Sequence, residues 1–374
     1  MKTTLWGSLM MISLCCCCGI FPVSAQQEGT DNAVMEKIPS LMNALRVDQP
    51  LDFCGEAVPL DNPQVRERFE KEMVLSVWDR AQVILWLKRA NRYFPVIEDA
   101  LKKRGMPDDL KFLAVAESAL RPHAGSRKGA MGFWQFMRAT ARKYGLQVDN
   151  DVDERRNIFH STAAALAYLQ FLYDDLGSWS LAAAGYNMGE GRLKSEMTAQ
   201  ETKDYYNLYL SLETQRYLFR IIAIKRILSA PEQFGFYLAP DELYPPLLVE
   251  TISFDLKKET PIQAIARAAN VYFKTIKDLN PQLRGHSLKK GDYVLLVPGG
   301  HAKVFAKNFP ETTRQWQGKQ KQRIYVVKKG DNLSAIAARF NIPLASLYLW
   351  NPIKPGGSIY PGDKLVVYTG DDGR

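Results

Sequence analysis

The C-terminal third of the chain carries an internal repeat, which restricts the fold because each copy must form the same small unit. Residues 327–337 align with residues 256–266 without a gap, so the second copy lies 71 positions after the first. The same offset aligns Asn280-Pro281 with Asn351-Pro352 and Gly291-Asp292 with Gly362-Asp363. Each copy is predicted to form a short strand, two short helices and a closing strand, the last at residues 293–297 and 364–368.

A second strong pattern lies upstream, where a helix is predicted to begin at Pro107. Proline suits the first helical turn because that turn needs no N–H group, and the two aspartates that follow suit the positive end of the helix dipole. The helix face at spacing i, i+3, i+4 and i+7 then carries Leu110, Leu113, Ala114 and Glu117. A carboxyl group on an apolar face has a raised pKa and can hold a proton near neutrality, as a general acid must.

Taken alone, Glu117 has a simpler interpretation as a glutamate that faces solvent or pairs with Arg121. Two later segments favour a catalytic role. They are residues 129–137, Gly-Ala-Met-Gly-Phe-Trp-Gln-Phe-Met, and residues 182–192, Ala-Ala-Ala-Gly-Tyr-Asn-Met-Gly-Glu-Gly-Arg.

The order Glu117-Ser118, Gly-Phe-Trp-Gln-Phe-Met and Gly-Tyr-Asn-Met-Gly-Glu-Gly-Arg resembles the lytic transglycosylases with a goose-type lysozyme fold. Among these enzymes it is most similar to the membrane-bound lytic murein transglycosylase D type. The similarity extends from about residue 62 to about residue 227, and its ordered combination of motifs is specific although each motif alone is weak. The resemblance implies a mainly α, lysozyme-like catalytic domain.

The resemblance makes Glu117 the catalytic residue. It would protonate the leaving oxygen of the β-1,4 bond between N-acetylmuramic acid (MurNAc) and N-acetylglucosamine (GlcNAc). The carboxylate would then act as a base on the C6 hydroxyl, which closes on C1 to give a 1,6-anhydro end without water. The substrate's acetamido group would stabilise C1, so the second carboxylate that glycosidases usually employ is not needed. The other candidates, Asp151, Asp153, Glu154 and Glu190, are expected to serve helix ends and ion pairs.

The resemblance also assigns substrate-binding residues. Tyr186 matches the tyrosine whose hydroxyl contacts the catalytic glutamate. Gln135 matches the glutamine that binds sugar in the cleft, and Met137 matches the methionine that lines it. Ser118 is expected to fix the acid or hold the acetamido group, and Asn187 to order the loop after Tyr186.

The second repeat copy, residues 323–368, resembles a LysM module, the small α+β (βααβ) fold that binds GlcNAc-containing glycans. The resemblance rests on Tyr-Val-Val-Lys-Lys-Gly-Asp-Asn-Leu-Ser-Ala-Ile-Ala from residue 325 and Tyr-Pro-Gly-Asp-Lys-Leu from residue 360. It assigns glycan binding to Gly330, Asp331, Asn332, Leu333, Asn351 and Pro352. The first copy, residues 249–298, has Glu259-Thr260 in place of Gly330-Asp331. Glycan binding and a purely structural role are both open for this copy.

The expected order of domains follows from these assignments. It is a signal peptide (1–25), an N-terminal arm (26–61), the catalytic domain (62–230), a linker (231–248), the degenerate LysM-like module (249–298), a basic linker (299–322) and the LysM module (323–368). The arm is mixed and punctuated by proline, so we expect it to be loose. The first linker is rich in proline and aromatic residues.

The N-terminus is typical of a secretory signal peptide. Lys2 precedes an apolar stretch from residue 5 to residue 21, and Val23-Ser24-Ala25 offers a cleavage site before Gln26. We therefore expect export across the inner membrane into the periplasm. Four of the five cysteines, Cys15–Cys18, lie in this leader, so no intramolecular disulfide is expected after cleavage. The alternative to cleavage before Gln26 is lipidation of one leader cysteine, which would attach the protein to the outer membrane.

The net charge of +9 suits a polyanionic partner such as the cell-wall polymer. The basic residues are spread out and form no basic helix, which argues against nucleic acid. The four histidines have no metal-ligand spacing, so no metal and no cofactor are expected. The expected partners are peptidoglycan glycan strands, and the sequence predicts no oligomeric state.

Three functions are consistent with these patterns. The leading interpretation is a secreted lytic transglycosylase held on peptidoglycan by at least one LysM module. The second is a lysozyme that hydrolyses the same bond and leaves reducing ends instead of anhydro ends. The third is a glycan-binding scaffold with an inactive catalytic domain, against which the intact Glu117, Gln135 and Tyr186 argue.

Overall fold

The computed structural model describes Met42, residues 45–47, 50–319 and 321–351, Ile353 and residues 357–369. The predicted signal peptide with Cys15–Cys18, most of the predicted arm and Pro352 lie outside the described residues. Within the described ranges, no helix combines the length and the apolar character needed to span a bilayer.

The N-terminal unit is helical around one core. It begins with a hairpin of β1 (Asp52–Phe53) and β2 (Glu56–Ala57). The helices that follow are α1 (Pro63–Trp78), α2 (Arg80–Arg104), α3 (Lys111–Ser118), α4 (Arg138–Lys143), α5 (Ile158–Leu176), α6 (Trp179–Met188), α7 (Glu190–Ala199) and α8 (Leu212–Ser229). Their apolar side chains form one buried cluster. The prediction of a mainly α first domain is confirmed.

Helix α8 lies at the centre of this unit. Its four consecutive residues from Ile221 to Ile224 are each at most 1% exposed, so other elements surround it on all sides. It packs against α1, α3 and α6. The side chain of Ser211 caps its first turn by accepting a hydrogen bond from the Thr214 backbone N–H. Residues placed on α8 are therefore held by several neighbouring helices.

The last part of the predicted arm is folded. The Phe53 side chain is fully buried in the first core. The backbone N–H of Cys54 donates to the Asp109 carboxylate at 2.7 Å, and the Glu56 carboxylate binds the start of α6. The expectation of a loose arm is therefore wrong for residues 50–61, because a buried aromatic ring and charged hydrogen bonds fix them to the helices.

Each repeat copy forms a small unit of its own. In the first, β3 (Val249–Leu256) pairs antiparallel with β6 (Gly291–Pro298), with Ile252 opposite Leu295. Between them lie β4 (Thr260–Pro261), α9 (Ile262–Ala268), α10 (Phe273–Leu279) and β5 (Ser287–Leu288), and α11 (Ala302–Lys319) follows. The second contains β7 (Lys321–Val326), α12 (Leu333–Arg339), α13 (Leu344–Trp350) and β8 (Lys364–Thr369). The predicted α+β modules are confirmed.

The repeat holds in the structure with one change near its end. The Asn280 side chain exchanges hydrogen bonds with the backbone of Leu296, both at 2.8 Å. The Asn351 side chain does the same with Val366, at 2.9 and 2.7 Å. Leu296 therefore corresponds to Val366, an offset of 70 rather than 71. The predicted alignment of the closing strands is wrong by one residue, because Asn351 and Val366 are one residue closer in sequence than Asn280 and Leu296.

Both predicted linkers contain packed segments. In the first, Phe234 and Phe236 are each 2% exposed, and the Arg92 guanidinium lies 4.8 Å from the centre of the Tyr244 ring. The second is largely the helix α11, whose Phe305 is 3% exposed in the core of the first module. The apolar face of α11 explains the difference, because a helix with such a face folds back on its neighbour.

Candidate active site

Glu117 lies near the end of α3, just before a sharp turn. Burial of Leu113, one turn earlier, shows that this face of α3 is apolar, whereas Glu117 itself is half-buried. Ala119 and Leu120 both adopt left-handed backbone conformations, with φ of 53° and 57°, which are uncommon for residues with a side chain. The chain therefore turns away directly behind Glu117 and leaves the carboxyl at the edge of the core.

The residue that contacts the acid is Tyr217. Its hydroxyl donates to Glu117 Oε1 at 2.6 Å. Burial and the nearby Glu117 hold the pKa of Tyr217 well above its ordinary value, so the phenol stays neutral and remains a donor. The prediction that Tyr186 makes this contact is wrong, because the Tyr186 hydroxyl instead donates to the Trp134 carbonyl oxygen at 2.8 Å.

Tyr217 was not among the predicted site residues, although a weak pattern points to it. Tyr217, Ile221 and Ile224 lie on one face of α8 at spacing i, i+4 and i+7. A tyrosine on a buried face needs a partner for its hydroxyl. Which partner it finds depends on tertiary packing, since Glu117 lies 100 positions away in the sequence.

Burial raises the pKa of Glu117 from its ordinary value to about 7. The Tyr217 hydrogen bond and the positive charge of Arg220 oppose this rise, and the negative charge of Glu213 adds to it. Burial is the largest of these effects, so the carboxyl is poised to exchange a proton near neutral pH.

Arg220 is itself held by a buried carboxylate. Glu72 on α1 is 2% exposed. Its two carboxylate oxygens lie 2.5 Å from Arg216 Nε and 3.7 Å from Arg220 Nε. Because a buried carboxylate needs such positive partners, Glu72 engages both arginines and balances the charge that Arg220 brings to Glu117.

The segment after Tyr186 is tied to α8. Asn187 Oδ1 accepts a hydrogen bond from the Thr214 hydroxyl at 2.9 Å, one turn before Tyr217. This contact gives the ordering role expected of Asn187 a physical basis. A sugar contact by Asn187 stays a prediction.

Ser118 faces the protein interior. It is 3% exposed, and its hydroxyl lies 2.7 Å from the Phe133 carbonyl oxygen and 3.1 Å from the Ala114 carbonyl oxygen. Binding of the acetamido group by Ser118 is therefore contradicted, because the hydroxyl is buried and committed to the backbone. Ser118 instead connects the end of α3 to residues 129–136, which we call the active-site loop.

The active-site loop presents Gln135 and leads to Met137. Gln135 Nε2 donates to the carbonyl oxygens of Ala124 and Gly132, at 3.0 and 2.9 Å. Both of its N–H groups are thereby committed, which leaves the amide oxygen to accept from a sugar hydroxyl. Gln135 also has a left-handed φ of 46°, a strained conformation of the kind found at functional sites. Met137 is 45% exposed, as a residue lining a cleft would be, and both sugar contacts stay predictions.

The other candidate acids have partners of their own. Asp153 is bound by Arg155, at 2.8 and 2.9 Å. Glu154 bonds His160, Glu190 accepts from the Tyr168 hydroxyl at 2.8 Å, and Asp151 pairs with Lys289 at 2.6 Å. Hydrogen bonds and positive charges lower the pKa values of Asp153, Glu154 and Glu190, so these three favour the ionised form.

In the LysM module, several residues predicted to bind glycan hold the fold together. Asp331 accepts from the Tyr325 hydroxyl at 2.6 Å, and Asn332 caps α12 by accepting from the Ala335 N–H at 2.8 Å. Leu333 and Asn351 are each 7% exposed. Glycan contact by these two is contradicted because they lie in the interior. Gly330 forms an exposed turn with φ of 88°, so its glycan contact stays a prediction, as does that of Pro352.

Comparison with known families and proteins agrees with this geometry. Residues 94–209 match the transglycosylase SLT domain, residues 325–367 the LysM domain, and residues 250–313 the LysM-like domain of lytic transglycosylase MltD. Membrane-bound lytic murein transglycosylase D of Escherichia coli is 30% identical over 341 residues, which cover 86% of this chain and 73% of that protein. A peptidoglycan transglycosylase of Escherichia phage T7 is 32% identical over 140 residues, covering 36% of this chain and 10% of the phage protein.

Among solved structures, the soluble lytic transglycosylase Slt70 of Escherichia coli matches with a TM-score of 0.34 and 15% identity, over 58% of this chain and 46% of that one. The fold, the half-buried acid and the family matches define a lytic transglycosylase with LysM modules. The chain belongs to the membrane-bound lytic murein transglycosylase D family.

Proposed function

We propose that this chain cleaves the MurNAc–GlcNAc β-1,4 bond of peptidoglycan without water, with Glu117 as both acid and base. The observation that carries the proposal is the half-buried Glu117 carboxyl, whose pKa is raised to about 7 and which accepts the Tyr217 hydrogen bond. A group with such a pKa is protonated about half of the time at neutral pH. It can therefore donate a proton and recover one within a single turnover.

The reaction has two steps. First, the Glu117 carboxylic acid protonates the glycosidic oxygen as its bond to MurNAc C1 breaks, and the acetamido oxygen stabilises the positive charge at C1. Second, the Glu117 carboxylate takes the proton of the MurNAc C6 hydroxyl while that oxygen bonds to C1. The products are a 1,6-anhydro end and a free GlcNAc 4-hydroxyl, and the enzyme regains its starting protonation state.

The candidate second carboxylates Asp153, Glu154 and Glu190 favour this mechanism over hydrolysis, because each has a partner of its own. An inverting or retaining glycosidase needs a second carboxylate close to the sugar, as a base or a nucleophile. Asp153 and Glu154 are committed to Arg155 and His160, and Glu190 is committed to Tyr168. A mechanism in which the substrate supplies its own nucleophile does not depend on a second carboxylate.

We further infer that the chain works on the cell wall outside the inner membrane. The predicted leader supports export, and the curated Escherichia coli relative is described as membrane-bound. Peptidoglycan is the partner that the transglycosylase and LysM matches suggest. Attachment to the outer membrane would require lipidation of one of Cys15–Cys18. Cell fractionation of a chain with all four replaced by serine tests this, and loss from the membrane fraction is the expected result.

Mass spectrometry of muropeptides released from purified sacculi tests the activity. Wild-type protein is expected to release disaccharide peptides that are lighter by one water and cannot be reduced. Glu117→Gln is expected to release none while still binding sacculi. Glu190→Gln, in which an acid committed to Tyr168 is changed, is the matched control and is expected to retain the wild-type products. Reducing ends from wild-type protein would show that the chain is a hydrolase.

A further inference from the structure

The first LysM-like module is joined to the catalytic domain by a short antiparallel pairing. Val152, in the loop before α5, forms a β-bridge with Leu283 of the module. The Asp153 N–H donates to the Gln282 carbonyl oxygen at 2.9 Å, and the Arg284 N–H donates to the Asp151 carbonyl oxygen at 2.8 Å. Arg284 also reaches the Asp149 carbonyl oxygen through its guanidinium, at 3.1 Å. We call residues 149–153 the docking loop.

Burial at this contact is substantial. Leu283 is 4% exposed, and Val152 packs against the apolar core of the module although it belongs to the catalytic domain. Pro281 and Leu279 of the module line one small enclosed cavity together with Tyr93 and Phe133 of the catalytic domain. The contact therefore combines paired backbone with shared apolar packing, and both oppose the relative motion expected of domains that lack such contacts.

The docking loop is connected to the active-site loop through Asp153 and Arg155. The Asp153 carboxylate binds the Arg155 guanidinium at 2.8 and 2.9 Å, and both side chains are buried. Arg155 in turn donates to the carbonyl oxygens of Gly129 and Phe136, each at 3.0 Å. These two carbonyls lie at the two ends of the loop that carries Gln135. Arg155 thus fixes the span of that loop.

A close backbone approach supports the same connection. Gly132 has φ of 83°, and a Cβ atom placed on it would lie 1.8 Å from the Arg155 carbonyl oxygen. The active-site loop and the segment around Arg155 are therefore in direct contact, and only glycine fits at this point. A displacement of the docking loop would therefore reach Gln135 through only a few contacts.

In the first module, the segment that corresponds to Asn351-Pro352 lies against the catalytic domain. Asn351-Pro352, assigned by sequence to glycan binding, corresponds to Asn280-Pro281 in the first module. In the first module, Pro281 lines a cavity together with side chains of the catalytic domain, and Asn280 is buried within its own module, as Asn351 is in the second. The first module thus places Pro281 against the catalytic domain.

We propose that the first LysM-like module is a positioning element of the catalytic domain and not a glycan tether. Residues 281–284 hold the docking loop, and Asp153 and Arg155 transmit this constraint to the active-site loop that presents Gln135. The proposal rests on the proposed transglycosylase function, because it assigns the module to that same site. Val152 and Leu283 act as positioning residues and do not touch the sugar.

Val152→Asp in the full chain tests the proposal by placing a charge against the module core. Turnover is measured on soluble, uncrosslinked murein glycan strands. Because small misplacements of substrate-positioning groups slow the chemical step, kcat is expected to fall about tenfold while KM changes less than about twofold. The matched control is Val294→Asp, the same substitution at a position of the first module that is 55% exposed, and its kcat is expected to equal that of wild type.

A cross-link keeps the test informative if Val152→Asp folds poorly. Val152 and Leu283 form the non-hydrogen-bonded type of antiparallel pair, whose short Cα separation suits a disulfide. Val152→Cys/Leu283→Cys, in a chain whose leader cysteines are serine, would lock the module in place. The oxidised form is expected to turn over at least as fast as the reduced form, because the disulfide restores the contact, whereas loss of turnover on oxidation would show that the module must move away and would overturn the proposal.

Two further outcomes would overturn it. One is wild-type turnover by folded Val152→Asp. The other is weaker sacculus binding by Val152→Asp with kcat unchanged, which would make the first module a tether. Failure of wild-type protein itself to release anhydro products is a separate result, because it refutes the proposed function irrespective of the variants.

Discussion

At the scale of single residues, the central observation is that opposing effects act on the pKa of one carboxyl group. Burial raises the pKa of Glu117, while Tyr217 and Arg220 lower it. Burial dominates, but the hydroxyl of Tyr217 at 2.6 Å keeps the ionised form accessible. A residue that must act first as an acid and then as a base needs both influences.

Tyr217→Phe is expected to move the alkaline limb of the kcat–pH profile upward by about one unit. The hydroxyl stabilises the carboxylate, so its removal raises the pKa of Glu117 and the acid stays protonated to higher pH. The profile on soluble glycan strands measures this shift. Tyr168→Phe, which removes a hydroxyl that binds Glu190 instead, should leave the limb in place. A downward shift in Tyr217→Phe would contradict the assignment.

Glu117→Gln is expected to stabilise the folded chain above neutral pH. The folded-state pKa of Glu117 is about 7, above its ordinary value of 4.5. The protonated carboxyl therefore supports the fold fully below pH 4.5, and this support is lost as the pH rises through 7. At pH 8 the variant should exceed wild type by at most about 3 kcal/mol, and at pH 4 the two should be nearly equal.

Urea titrations at the two pH values measure this difference. Glu190→Gln should show the opposite sign at pH 8, since the pKa of Glu190 is lowered and its ionised form supports the fold. Equal stability of wild type and Glu117→Gln at both pH values would mean that the Glu117 carboxyl is not destabilised by burial.

These residues also show which features of the site can be predicted from local sequence patterns. The apolar helix face predicted the placement of Glu117 correctly, because helical spacing is local information. The family resemblance assigned the contacting hydroxyl to Tyr186, whereas Tyr217 makes the contact. Both tyrosines lie close to Glu117, since its charge acts on both. Only the packing of α6 and α8 decides which hydroxyl reaches it, and no local pattern encodes that choice.

At the scale of elements, the N-terminal hairpin clamps the helices that carry the site. The Glu56 carboxylate accepts from the backbone N–H groups of Trp179 and Ser180 at the start of α6, at 2.5 and 2.9 Å. Lys225 of α8 lies between Asp52 and Asp109, at 3.1 and 2.7 Å. The hairpin thus ties together α6, α8 and the turn before α3, the elements that bear Tyr186, Tyr217 and Glu117.

Glu56→Gln is expected to lower the free energy of unfolding by about 2 kcal/mol, because charged hydrogen bonds at a helix start are lost. Thermal unfolding of the catalytic domain measures the loss. Glu67→Gln, an exposed change on α1, serves as the control and should have almost no effect. An equal effect of the two substitutions would show that the hairpin does not hold the helices of the site in place.

The hairpin and α11 were missed for different reasons. The strands of the hairpin have only two residues each, whereas α11 is as long as α8 but is interrupted by Pro310. Each is nevertheless stabilised by one buried aromatic residue, Phe53 or Phe305, and by the surface it packs on. Long helices such as α5 and α8 were predictable because their period is evident within the element itself.

At the scale of the whole molecule, the described residues form three apolar cores. The first belongs to the catalytic domain, the second to the first module together with α11, and the third to the LysM module. Val152 of the catalytic domain packs against the second core. The repeat unit was predictable from the sequence, but the packing of the first copy against the catalytic domain was not, because a constant offset between two copies carries no information about which other elements contact them.

The repeat supplies a matched pair of substitutions that separates the roles of the two modules. Ile265 and Ile336 lie 71 positions apart, and each is fully buried in its own module. An aspartate at either position places a charge in an apolar core and should unfold that module. Because tethering raises the effective concentration of a second site by a factor of about 100 or more, Ile336→Asp should weaken binding to sacculi by about that factor.

Ile336→Asp should nevertheless cleave soluble glycan strands at the wild-type rate, because its catalytic domain and first module are unchanged. Ile265→Asp should show the reverse, with sacculus binding retained through the LysM module and a slower kcat on soluble strands. Cosedimentation with sacculi and product release from soluble strands measure the two properties on the same preparations. Weaker sacculus binding with unchanged turnover in both variants would mean that both modules are tethers. The catalytic domain would then hold its active-site loop without help from the first module.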